Sequence, residues 1–180
     1  MPVRQWNSNE AATLFEARTD EACAKIDLPP PHEHLRELRI YLQRMTDTGR
    51  TSNGAHLLSR RGLENGDTQI NAGPTIFHEP CTTCIQFRSG AQLSFGITLR
   101  VGATSTSLLS YRFHLSLFPA SGLRFIRIDL HAHKEGYDPL HMPRSHMHPG
   151  FESVHIPFPV MSPLEVPDRI FNVIEPRFTP

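Results

Sequence analysis

Three stretches of strict period-two alternation constrain this chain more than any other feature. Leu93, Phe95, Ile97, Leu99 and Val101 alternate with Gln92, Ser94, Gly96, Thr98 and Arg100. Leu109, Tyr111, Phe113, Leu115 and Leu117 alternate with Ser110, Arg112, His114 and Ser116. Ile126, Ile128 and Leu130 then alternate with Arg127, Asp129, His131 and His133. Successive side chains of a strand point to opposite faces, so each stretch predicts a half-buried strand. The runs GATSTS and Pro119-Ala120-Ser121-Gly122 have turn composition. The result is an antiparallel β-meander, preceded by a further strand at 84–88.

The alternation also predicts register, because opposed residues of antiparallel strands share a face. Closing the second hairpin with Phe118 opposite Leu123 pairs Arg112 with Asp129, His114 with Arg127 and Ser110 with His131. A slip of one residue would turn the apolar set into water. One polar face therefore collects Arg112, His114, Arg127, Asp129 and His131.

Helices are expected on either side of this sheet in the chain. Ser8 or Asn9 can cap a helix reaching about Ile26, and Pro29-Pro30-Pro31 ends it and opens a second. In the second helix Leu35, Leu38, Leu42 and Met45 form one apolar stripe, with Arg36, Arg39 and Arg44 elsewhere as a solvated basic surface. Residues 46–54 read as a loop. Residues 55–82 show no clear period: 56–67 read as a short helix or a lid, and mobility without definite structure is expected near Gly62–Gly73. Residues 134–150 read as a loop and 154–160 as a short extended element. Ser162 and Glu165 form a capping box around Pro163, and Val166, Ile170, Phe171 and Ile174 supply the apolar face of a C-terminal helix. Pro167 is expected to loosen its first turn.

At 180 residues the chain has room for one sizeable core. We read residues 1–180 as a single α+β domain: a helical part at 1–46, the antiparallel sheet and histidine-rich loop at 84–156, and a C-terminal helix at 162–175. The formal charge is zero with neutral histidines, so no overall field draws it to nucleic acid or membrane. No apolar run approaches the roughly 20 residues of a membrane span, and MPVRQWNSNE lacks a signal-peptide core. Cys23, Cys81 and Cys84 are an odd number, which fits reduced thiols and a cytoplasmic setting.

Residues 123–150 carry five histidines, His131, His133, His141, His146 and His148, among Arg127, Asp129 and Arg144. Histidine exchanges protons or ligates metals near neutral pH, so such a gathering points to a site. Three chemistries compete. In metal-free acid–base work on a phosphodiester, His131 or His133 and His146 or His148 form the proton-transfer pair. Asp129 orients them, and Arg112, His114, Arg127 and Arg144 hold substrate. In a metal site, one divalent ion sits on His131, His133, His146 and His148. Zinc on Cys81-x-x-Cys84 with His78 is only half a site, and two reduced cysteines are the plainer reading. The isolated His56, His78 and His155 read as ordinary structural or surface residues.

Two resemblances attach to these residues. His146-Met147-His148-Pro149-Gly150-Phe151-Glu152 resembles the first metal motif of the cupins, without that family's glycine-rich lead-in or second motif. Arg127-Ile128-Asp129 followed by Pro143-Arg144-Ser145-His146-Met147-His148 resembles the R-Y-D strand and histidine motif of the TumE-like toxins of bacterial toxin–antitoxin systems. Ile128 replaces the tyrosine, the intervening loop is longer, and the match covers residues 107–150. That resemblance implies a ribonuclease acting on RNA without a cofactor and restrained by a cognate antitoxin. The remaining possibility is a non-catalytic subunit that presents the polar face to a protein or nucleic-acid partner.

Overall fold

The computed structural model describes residues 8–74, 81–117, 122–132 and 143–178, with the side chains of residues 8–12 left aside. The architecture is α+β, with three α-helices and an eight-stranded antiparallel sheet among the described residues. Helices α1 (Ser8–Ala24) and α2 (Pro31–Asp47) precede strands β1 (Leu58–Gly62), β2 (Thr68–Ala72) and β3 (Ile85–Gln86). Strands β4 (Gln92–Val101), β5 (Thr106–Ser116), β6 (Phe125–His131), β7 (Ser145–Pro149) and β8 (Ile156–Pro157) follow, then α3 (Glu165–Arg169). The strand order is β1-β2-β4-β5-β6-β7-β8, and β3 pairs with β4 beside β2.

The β5–β6 register is the one that alternation demands: Ser110 faces His131, Arg112 faces Asp129 and His114 faces Arg127. Ile126 and Ile128 are buried, and Arg127 lies on the opposite face. The β4–β5 pair departs from the simple pattern in one place. Its register shifts between Thr98 and Leu99, so Leu108 rather than Leu109 faces Leu99 and is buried. A bulge of this kind leaves one residue unopposed and bends the strand. The turn expected at Pro119-Ala120-Ser121-Gly122 falls, except for Gly122, outside the described residues.

One sheet face is apolar. Phe95 stacks on Phe113 at 5.0 Å, with Leu93, Ile97, Leu115, Ile126, Ile128 and Leu130 around them. Leu35, Leu38 and Leu42 of α2 and Val166, Ile170 and Phe171 close that core. Phe171 is wedged against Tyr41 and Phe87, with ring centroids 5.7 and 4.7 Å away. The capping box at the C-terminal helix is present: Ser162 N–H donates to Glu165 Oε2 and Glu165 N–H to Ser162 Oγ. The segment then passes from α3 into a π-turn at Ile170–Ile174 and a 3-10 turn at Glu175–Arg177.

Three expectations need correction. Residues 58–72 form the β1–β2 hairpin rather than a short helix or lid, with Asn65 and Gly66 at its turn. Cys81 and Cys84 are joined in a disulfide, so they are neither reduced thiols nor zinc ligands, and the thiol argument for a cytoplasmic setting falls with them. Residues 145–149 are not part of a loop but strand β7, paired along β6. Among the described residues, no helix is long and apolar enough to cross a membrane.

Candidate functional site

The other face of the sheet is polar, and β7 extends it. Because β6 and β7 are antiparallel, His146 lies opposite Asp129 and His148 opposite Arg127. The chain then reverses at Gly150, whose φ of 82° suits a residue without Cβ. It returns as β8, with Pro157 opposite His146 and Ile156 opposite Met147. Continuing that register by one residue brings His155 opposite His148.

Three imidazoles therefore converge. Ring centroids lie 4.8 Å apart for His146 and His148, 4.9 Å for His146 and His155, and 4.5 Å for His148 and His155. One ring nitrogen or equivalent ligand atom from each lies within 4.8 Å of the others. His131 stands at the rim, its centroid 6.3 Å from that of His146.

Asp129, 1% exposed, anchors the floor. Its carboxylate accepts from Arg112 Nε at 3.0 Å and Arg127 Nε at 2.8 Å. Burial alone would raise its pKa. The hydrogen bond with His148 and the two guanidiniums outweigh that effect and hold the carboxyl well below the usual carboxylate range. Arg127 also donates to Glu152 on the 150–155 segment, tying that segment to the sheet.

The tautomers matter here. His146 Nδ1 donates to the Pro143 carbonyl, so in the neutral ring Nε2 carries the lone pair. Nε2 lies 3.7 Å from Asp129 Oδ2, beyond hydrogen-bond range. Burial pushes the His146 pKa down to about 4, against the opposing pull of the Pro143 carbonyl and Asp129, so the ring is neutral at pH 7. His148 Nε2 has two neighbours that make opposite demands. Arg127 Nη2 at 2.7 Å requires a lone pair, whereas Asp129 Oδ2 at 3.4 Å calls for a proton. In either case His148 Nδ1 is buried with no hydrogen-bond partner. The His155 pKa is lowered by burial first, then by His148 and Arg127.

Of the residues singled out from sequence, Asp129, Arg127, His146, His148, Arg112 and His131 meet on this face. His114 shares it but stacks on Phe125 at 4.9 Å, and burial, helped by Arg127, lowers its pKa to about 4. Arg144 is turned elsewhere. Its guanidinium binds Glu16, Asp20 and the Ala132 carbonyl, which fastens α1 to the start of β7. His78, His133 and His141 lie outside the described residues. Sequence reasoning passed over His155 as an isolated residue and used Glu152 only as a motif letter. The signal for both was the Gly150 turn before an extended segment, which folds the chain back onto the histidine strand.

Comparison with known proteins adds no relative: no family model, curated protein or solved structure matches the chain.

Proposed function

We propose that this protein is a histidine-ligated metalloprotein, holding one divalent transition-metal ion on His146, His148 and His155. Three imidazoles leave a fourth position open, as a catalytic rather than a purely structural site requires. The observation that carries this reading is His148 Nδ1, a buried ring nitrogen without a partner amid two further imidazoles. Burying an unsatisfied polar atom costs about 1–3 kcal/mol. An ion at Nδ1 removes that cost and leaves the proton on Nε2, which then donates to Asp129 in the carboxylate–histidine–metal pattern, so Arg127 Nη2 must withdraw from its 2.7 Å contact with that nitrogen.

Tetrahedral ligand atoms about 2.0–2.1 Å from zinc are about 3.3 Å apart, so the cluster must contract on binding. His155 has freedom to move, since it lies on the connection between β7 and β8, whereas His146 and His148 are fixed within the sheet. Metal-free protein dialysed against zinc or nickel is expected to retain one ion per chain. His146→Ala and His148→Ala are expected to retain none, and stoichiometric retention by both would overturn the reading.

A second reading keeps the toxin resemblance: a metal-independent ribonuclease on the same residues, in the cytoplasm, with RNA as substrate and an antitoxin as partner. Two guanidiniums, Arg112 and Arg127, beside the histidines favour it, because such a pair suits a phosphodiester. It must find its proton donor elsewhere than His114 or His146, both neutral at pH 7. RNA cleavage in EDTA that disappears in His146→Ala would select this reading over the metal centre.

A further inference from the structure

The Cys81–Cys84 disulfide closes a separation of only three residues, in the turn that leads into β3. A disulfide stabilises chiefly by closing a loop of the unfolded chain, and the effect shrinks as the loop shortens. This one therefore adds little to the stability of the fold. The turn also has other holds on it. Gln86 Nε2 donates to the Cys81 carbonyl at 2.7 Å, and Asn53 Nδ2 donates to the Cys84 carbonyl at 3.1 Å. Gln92 Oε1 accepts from Cys81 N–H at 3.2 Å. Gln92 and Asn53 are in turn bonded to Gln86, through its Oε1 and its backbone N–H. Both half-cystines are fixed through their backbones, so breaking the S–S bond leaves that frame in place.

The two sulfurs are not equivalent. Cys84 is fully buried, whereas Cys81 keeps 6% of its surface and is followed by the exposed Thr82 and Thr83. A reagent from solution meets Cys81 first. Thr83 Oγ1 lies 3.7 Å from Cys81 Sγ. A disulfide sulfur carries no proton, so the hydroxyl is the donor. Such a bond strengthens when the sulfur becomes an anion, and it favours the thiolate.

The buried sulfur has a hydroxyl in its surroundings as well. A β-carbon at Gly73 would lie 3.2 Å from Cys84 Sγ, 3.1 Å from Ser94 Cβ and 3.1 Å from the Thr83 carbonyl oxygen, so all three close round this one glycine. Ser94 is 1% exposed, and its Oγ has no hydrogen-bond partner. Buried hydroxyls are nearly always satisfied, so this one calls for an explanation. A sulfur locked in a disulfide has no proton to offer it.

We propose that Cys81–Cys84 is a redox-active site that undergoes thiol–disulfide exchange with low-molecular-weight thiols. The narrow access at Cys81 suits a small reactant. A first thiolate attacks Cys81 Sγ, forming a mixed disulfide as the Cys81–Cys84 bond breaks, and Cys84 leaves as a thiolate that takes up a proton. A second thiolate then attacks the small molecule's own sulfur in the mixed disulfide. Cys81 leaves as a thiolate held by the Thr83 hydroxyl and is protonated in turn. Two small thiols become one disulfide, and their two electrons pass to Cys81 and Cys84. In the reduced state the Ser94 hydroxyl pairs with the Cys84 thiol. The site is independent of the histidines and of any ion they hold.

The test uses the 180-residue chain carrying Cys23→Ser, in EDTA, so that neither the free cysteine nor a metal enters the readout. Millimolar reduced glutathione is expected to open the bond in the folded protein, giving two alkylatable thiols with the circular dichroism unchanged. Oxidised glutathione is expected to restore it. Ser94→Ala is expected to shift that equilibrium about fivefold toward the disulfide, the worth of one neutral hydrogen bond. With oxidised glutathione, Cys84→Ser is expected to carry one glutathione on Cys81, and Cys81→Ser about tenfold less on the buried Cys84. Adding Thr83→Val to the Cys84→Ser chain is expected to raise the pH midpoint of Cys81 alkylation by about one unit, the worth of one hydrogen bond to a charged sulfur. A bond that glutathione opens only in denaturant would overturn the site. So would unfolding on reduction, or equal labelling of the two single-cysteine chains. Unchanged values in Thr83→Val or Ser94→Ala would overturn the role given to that hydroxyl.

Discussion

The two faces of the sheet share the same strands and satisfy burial in opposite ways. On the apolar face Phe95, Phe113, Leu115 and Ile128 are sealed by α2 and the C-terminal helical segment. That burial stabilises through area, with each large side chain contributing roughly 1.5–3 kcal/mol. On the polar face Asp129, His146 and His148 are buried as deeply, at 1%, 2% and 1% exposure. They are held by charge pairing and hydrogen bonds instead. Buried polar atoms without a partner occur on both sides: His148 Nδ1, Ser94 Oγ and Asn71 Oδ1 on this face, and Tyr111 Oη and Ser145 Oγ on the core face. What sets the polar face apart is that His148 lies beside two further imidazoles, with ligand atoms of all three within 4.8 Å of one another.

The sharpest test of the contrast sets one substitution on each face. Phe113→Ala, in the fully buried stack with Phe95, is expected to cost about 3–5 kcal/mol in denaturant unfolding. Asp129→Ala should cost a similar amount, about 3–5 kcal/mol, because it leaves two guanidiniums without their shared buried partner. His155→Ala should change stability by less than about 1 kcal/mol, as for a half-buried surface position, yet lower zinc affinity more than 100-fold. If His155→Ala unfolded the protein as Phe113→Ala does, the two faces would not differ in the way described.

A second, smaller effect is pH dependence. His34 and His146 are buried with pKa values lowered to about 4, in each case by burial first. The unfolded chain, with histidine near 6.5, binds more protons than the folded one between those values. Their contribution is present above about pH 6.5 and is lost as pH falls toward 4. Moving metal-free protein from pH 7 to pH 5 should cost about 1–2 kcal/mol per buried imidazole in chemical unfolding. A flat stability profile over that range would show the rings to be solvated. Smallest of all, Ser162→Ala removes one half of the capping box and should cost about 1 kcal/mol without touching metal binding.

How much of this was legible in the sequence depended on whether burial left a period. Strands β4, β5 and β6 show alternating apolar residues, and their pairing could be written out residue by residue. Strand β1 could not, because only Leu58 of its five residues is buried at the sheet edge. Strand β7 was missed for a different reason: its core-facing residues are Ser145, Met147 and Pro149, with no run of branched apolar side chains to signal a strand. The site followed the same rule. Arg112, Arg127 and Asp129 came from register, whereas His155 required knowing that the chain turns back at Gly150. The C-x-x-C pair shows the limit of counting, since an odd number of cysteines says nothing about whether two of them are bonded.

The central claim is that His146, His148 and His155 hold one ion together. X-ray absorption at the zinc edge of the loaded protein tests it most directly. One zinc per chain is expected, with three imidazole nitrogens at about 2.0–2.1 Å, and one imidazole fewer in His155→Ala if any zinc remains. A wild-type spectrum with no imidazole scattering, or one unchanged in His155→Ala, would contradict it.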